Sequence, residues 1–166
     1  MTRKELIRLL PRDGTDLDAA KEFIALGYPM VDPALPEIMR FLRLADSSVA
    51  DAFAEFVAGI GEAALPAIAK ALGRENCWLR HRVFCKILPR WPDASLGKLR
   101  NVLTLIATQP DAYDNDVRCV ELLAQRGLAE ISWLQDWLKF KRERWKEREQ
   151  LLRRAEAAIS KARNPR

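Results

Sequence analysis

Cys77, His81 and Cys85 fall at i, i+4 and i+8 on one stretch of chain, and His81 is the only histidine among 166 residues. Any histidine catalysis or histidine metal ligand must use it. On a helix, residues four apart stand about 5–6 Å apart at Cβ. At about 1.5 Å rise per residue the two cysteines are then about 12 Å apart. One zinc ion with ligands at about 2.0–2.3 Å cannot reach across that span, and only Cys119 is left as a further soft ligand. The spacing therefore predicts a packed histidine in a core stripe and no metal. A thiol nucleophile needs a base beside it, but a Cys–His dyad here would sit inside a helix interface without a cleft. There is no GxGxxG, P-loop or HExxH string. Asp13, Asp16 and Asp18 crowd one turn, where helix capping uses carboxylates. Glu37, Asp51 and Glu55 read as solvated faces. No catalytic residue, cofactor, metal or small-molecule substrate is expected, and the chain reads as not an enzyme.

Charge is unevenly placed. Residues 139–166 hold 11 Lys+Arg against 4 Asp+Glu, whereas residues 1–138 hold 17 against 19, so the net charge of +5 describes a basic C-terminal segment on a nearly neutral body. Apolar residues are 49% of the chain, an ordinary globular share. The longest uncharged run, 101–110, is too short to span a bilayer, so no membrane is expected. The N-terminus carries early charge and no apolar h-region, so no signal peptide is expected. Three cysteines, an odd number, read as reduced thiols in a cytoplasmic protein.

The elements that carry these residues all read at helical period. Helices are predicted over about 3–10, 17–26, 33–44, 48–60, 62–72, 75–88, 95–108 and 115–126. They are separated by prolines, glycines and capping Asp or Ser residues. From Leu128 to about Ser160 no proline or glycine interrupts. One pattern repeats. Ala34-Leu35-Pro36-x-Ile38-x-x-x-Leu42 recurs thirty residues later as Ala64-Leu65-Pro66-x-Ile68-x-x-x-Leu72. The stripe Val49, Phe53, Phe56, Ile60 recurs as Cys77, His81, Phe84, Leu88. Tandem helix pairs that cannot bury their own apolar faces are the signature of an α-solenoid. The fold class expected is all-α, a short solenoid of HEAT-like antiparallel helix pairs with a long basic C-terminal helix. Leu35, Ile38, Phe53, Phe56, Leu65, Ile68, Phe84 and Leu88 are expected in the core. Residues 1–127 form the repeat domain and 128–166 its capping helix and basic tail.

Leu10-Pro11-Arg12-Asp13, Asp16-Leu17-x-Ala19-Ala20 and Leu26-Gly27-Tyr28-Pro29-x-Val31-x-Pro33-x-Leu35-Pro36 resemble a bacterial family of small HEAT-like domains catalogued as a domain of unknown function. The likeness runs through Ile60-Gly61 to about residue 126. It implies a HEAT-like stack and no particular activity.

The last helix is the least ordinary element. Ile131, Leu138, Trp145, Leu152 and Ile159 recur every seven residues, and Leu134 and Ala155 fill companion positions that Lys141 and Arg148 interrupt. Ile131, Leu134 and Leu138 are expected to cap the last repeat. The function these features favour is a protein-interaction module: an adaptor, scaffold or immunity-like protein. Its partner would meet a mixed-charge surface of second helices carrying Asp51, Glu55, Arg82, Lys86 and Arg118. On the last helix the candidates are Trp137, Lys141, Arg144, Trp145 and Arg148. The alternative is nucleic-acid binding through that basic helix.

Overall fold

Short polar side chains set where the helices start. In the computed structural model, which describes residues 1–73, 76–111 and 113–163, every regular element among the described residues is helical. Thr2 opens α1 (Arg3–Leu9). Its hydroxyl accepts from the Glu5 N–H, and the Glu5 carboxylate accepts from the Thr2 N–H at 2.7 Å. Asp16 caps α2 (Leu17–Ala25) by accepting from the Ala19 N–H. Asp13 accepts from the hydroxyl and N–H of Thr15 at 2.7 and 2.8 Å, which holds its carboxyl below the usual range. Asp16 thus caps α2, Asp13 closes the turn before it, and Asp18 lies exposed 3.9 Å from Lys21.

Asp32 and Pro33 form a 3-10 turn, Asp32–Ala34, and α3 starts later than the pattern predicts, at Leu35, ending at Phe41. The physical reason is Pro36. Its missing N–H is harmless only in a first turn, and a start at Leu35 places it there. The second copy repeats this solution, with a 3-10 turn Gly61–Ala64 and Pro66 in the first turn of α5 (Leu65–Leu72). Between them runs α4 (Ser48–Ile60), capped by Ser47. The stretch 48–72 is apolar and long enough by composition to cross a membrane, but Gly61 at φ 68° breaks it into two helices.

After α5 the chain departs from the periodicity. One helix over 75–88 is predicted, and its start at Glu75 lies outside the described residues. α6 (Cys77–Arg82) begins on Asn76, whose side chain accepts from the Leu79 N–H at 2.8 Å. It runs on into a π-helical turn, Val83–Ile87. The segment predicted as one helix over 95–108 is α7 (Asp93–Lys98) and α8 (Arg100–Ala107), broken at Leu99. Then come α9 (Asn115–Gln125) and α10 (Ile131–Arg163).

The chain divides into two compact units, residues 1–128 and 129–166. In the first, α3 packs on α5, and α4 on the π turn after α6. First helix meets first helix of the two repeat copies, and second meets second. α2 packs on α4, and α8 on α9. Leu35, Ile38, Phe53, Ile68, Phe84 and Leu88 are buried. Phe53 packs edge-on to Phe23 at 6.1 Å and against Phe41 at 5.4 Å. Phe56 and Leu65, expected beside them, are half-buried. The inward line of α4 is Val49, Ala50, Phe53, Ala54, Val57 and Ala58, and Phe56 falls at its edge. The second unit is built on α10, whose 33 residues extend about 50 Å at 1.5 Å per residue.

Candidate functional site

His81 lies on α6, one turn past Trp78. Its ring stands 5.7 Å from that of Tyr113 and edge-on to Trp78 at 6.3 Å, while Trp78 and Tyr113 are 4.6 Å apart. The histidine is half-buried rather than enclosed, because its stripe lies at the edge of the core there. Burial lowers its pKa, with the charges of Arg118 and Arg82 acting the same way and Asp111 opposing. Cys85 Sγ lies 3.9 Å from both ring nitrogens, so it is aligned with neither. A working base stands about 2.6–3.2 Å from the proton it takes. Cys119 is fully buried, donates to the Leu103 carbonyl at 2.9 Å, and its thiol is pushed up to about 12 by burial. That thiol stays protonated at neutral pH. Among the described residues no three His, Cys, Asp or Glu side chains gather as a metal-holding group.

The interaction residues named from sequence divide between surface and interior. Asp51, Glu55 and Arg118 are exposed, and Lys86 is half-buried in the π turn. Arg82 is 6% exposed and serves the fold. Its Nε donates to Asp51 at 3.2 Å and its Nη1 to the Leu42 carbonyl at 3.1 Å, with the Leu44 carbonyl as a third acceptor. Leu42 and Leu44 follow the last residue of α3, where carbonyls lack helical partners and the dipole favours a cation. Arg82 therefore ties the second helix of one repeat copy to the first helix of the preceding copy.

On α10, Lys141 is 7% exposed. Its ammonium lies 5.9 Å from the Trp137 ring centroid and 5.6 Å from that of Trp145. The lysine that interrupts the seven-residue pattern is thus absorbed by flanking indoles one turn away on each side. Arg144 stacks over Phe140 at 5.7 Å. Ile131, Leu138 and Trp145 remain 71%, 43% and 48% exposed. Leu134 is half-buried. Leu152 and Ile159 lie outside the described side chains.

Glu37, expected on a solvated face, is buried and accepts from Arg3 at 2.6 Å. It lines a cleft of about 230 Å³ with Arg3, Arg40, Arg43 and Lys70. A signal was present, since Arg40 and Lys70 hold equivalent places in the two copies, each two residues after the shared isoleucine. The packing of α3 on α5 brings them to one side. Compared with family models, with curated proteins and with solved structures, the chain matches none.

Proposed function

We propose that this chain is a non-enzymatic protein-interaction module of HEAT-like build, whose contact face is the Ile131, Leu138, Trp145 stripe of α10. The exposure of that stripe carries the reading. Seven residues fall about 20° short of two full helical turns, so the three side chains form one nearly straight apolar line. Large apolar side chains lined up on a surface mark a place that another molecule can cover. Lys139, Arg142 and Lys146 are exposed beside the stripe, which suits a partner with an apolar groove and an acidic rim. Like-on-like packing of the repeat helices and the Leu-Pro motifs support the HEAT-like build, and the bacterial family resembled by those motifs points the same way. The state of His81 and Cys119 supports a role without catalysis. The cysteines, none of them paired, suit a cytoplasmic setting.

Nucleic-acid binding is the second reading, favoured by the 11 Lys+Arg against 4 Asp+Glu in residues 139–166. Titration with duplex DNA at about 50 and about 200 mM salt separates the two. A protein making about 6–10 phosphate contacts loses about 10³–10⁵ in affinity over that range. The protein-partner reading expects no tight DNA binding at either salt concentration. Tight binding at the lower salt that weakens by such a factor at the higher would overturn it.

A further inference from the structure

Given the contact face proposed on α10, on which this step rests, we infer that the molecule covering it is an acidic α-helix with its own seven-residue apolar repeat. The partner's apolar groove is then the groove of that helix, and its acidic rim the carboxylates beside the repeat. The spacing of the stripe carries the helical part. Ile131, Leu138 and Trp145 belong to a line that Leu152 and Ile159 continue in the sequence. A line of period seven drifts about 20° per heptad around a straight helix, so five members wind by about 80°. A flat surface meets only part of such a line. A second helix with the same repeat follows all of it, because the two supercoil about each other.

The surface beside the stripe has the shape this pairing needs. A concavity on α10 is lined by Gln135, Leu138, Lys139 and Arg142, with Glu143 and Lys146 extending it. The first four stand at i, i+3, i+4 and i+7, the set of four residues that receives one knob from a facing helix. All six are exposed. Charge carries the acidic part. Lys139, Arg142 and Lys146 lie on one side of the stripe with Glu143 as the single opposing charge, and these three cations make no ion pair among the described residues. Exposed Arg148 lies on the other side of the stripe. Charges flanking an apolar seam select the partner helix: carboxylates opposite them attract, and further cations repel. A second copy of this chain is the wrong partner by that measure. Residues 131–163 hold 10 Lys+Arg against 5 Asp+Glu, so two α10 helices repel.

Fluorescence anisotropy of the full chain with labelled synthetic four-heptad peptides tests this. The probes are an acidic repeat with Leu in the seam and Glu beside it, the same repeat with Lys for Glu, and a scrambled peptide of the acidic composition. The acidic repeat should bind at least about tenfold tighter than either of the others, and the mixture should be more helical than its parts. Leu138→Gln and, separately, the double variant Arg142→Glu, Lys146→Glu should each weaken it about tenfold or more, with the chain's own helical signal intact. Arg40→Gln on α3 should change nothing. Equal binding of the acidic and scrambled peptides, no binding of the acidic repeat, a tighter hold on duplex DNA than on that repeat, or self-association of the chain that excludes it would overturn the proposal. Failure of the peptide while a protein is still captured through the stripe strikes the helical partner alone. Capture that is unchanged when Ile131, Leu138 and Trp145 are all replaced by lysine strikes the contact face as well.

Discussion

Replacing Arg82 by methionine keeps the stem that packs in the interior and removes the guanidinium with its three bonds. Two of its acceptors, the Leu42 and Leu44 carbonyls, then lose their donor. A buried carbonyl left unsatisfied costs about 1–3 kcal/mol. The Leu42 bond is buried and the Leu44 bond partly so, so the pair amounts to about 2–4 kcal/mol. Asp51 adds little, because its side chain is half-exposed and water replaces the guanidinium; exposed ion pairs are worth about 0–1 kcal/mol. For a unit of 128 residues, each kcal/mol lowers the melting midpoint by about 3–4 °C. Arg82→Met should therefore melt about 6–15 °C below the unaltered chain, and Asp51→Asn within about 3 °C of it. Thermal unfolding followed by circular dichroism at 222 nm measures both. If Arg82→Met costs less than about 1 kcal/mol, or Asp51→Asn costs as much as Arg82→Met, the guanidinium does not staple the repeat copies through the carbonyls.

Phe53→Ala should cost about 3–5 kcal/mol, the usual loss for an enclosed aromatic, and Phe56→Ala, half-buried, clearly less; denaturant midpoints rank the two. Because burial lowers the His81 pKa, the unfolded chain takes up that proton first. Stability tied to His81 is then whole above about pH 6.5 and falls as pH drops below that value toward the lower folded pKa. The difference in melting midpoint between the unaltered chain and His81→Gln should shrink between pH 7.5 and pH 5.5, and a difference that grows on acidification would refute this. With a thiol reagent at pH 8, exposed Cys85 should react promptly, while Cys119, raised to about 12 and buried, should react only on unfolding. Mass-resolved labelling checks this by residue.

Much of the fold was legible because repeats and caps are local signals. Leu-Pro at the same place in two copies fixes two helix starts, and Gly61, Asp16 and Ser47 mark ends and beginnings that the structure keeps. α3 starts two residues after Pro33, where the sequence places its first helical residue, since Asp32-Pro33 satisfies a helix-start rule that a 3-10 turn satisfies equally well. The break at Leu99 had no proline or glycine to announce it. The sites were less legible, for one physical reason: their partners are distant in sequence. Arg82 meets Asp51, Leu42 and Leu44 from 31 to 40 residues away, and Glu37 meets Arg3 from 34 away. Periodicity assigns a charged residue to solvent unless a buried acceptor awaits it, and those acceptors are backbone carbonyls at a helix end or a carboxylate under a neighbouring helix. Lys141 shows the same limit at short range. Its position interrupts an apolar pattern, yet indoles four residues before and after it accept the ammonium while the stem stays covered.

Affinity capture with the full chain as bait, set against a triple variant Ile131→Lys, Leu138→Lys, Trp145→Lys, tests the contact face on α10 most directly. Each bait is run with and without nuclease, and the two are checked for equal helicity. The proposed function predicts one protein retained in near-stoichiometric amount on the unaltered chain and absent from the variant. The same proteins on both baits, or binding that disappears with nuclease treatment, would contradict it.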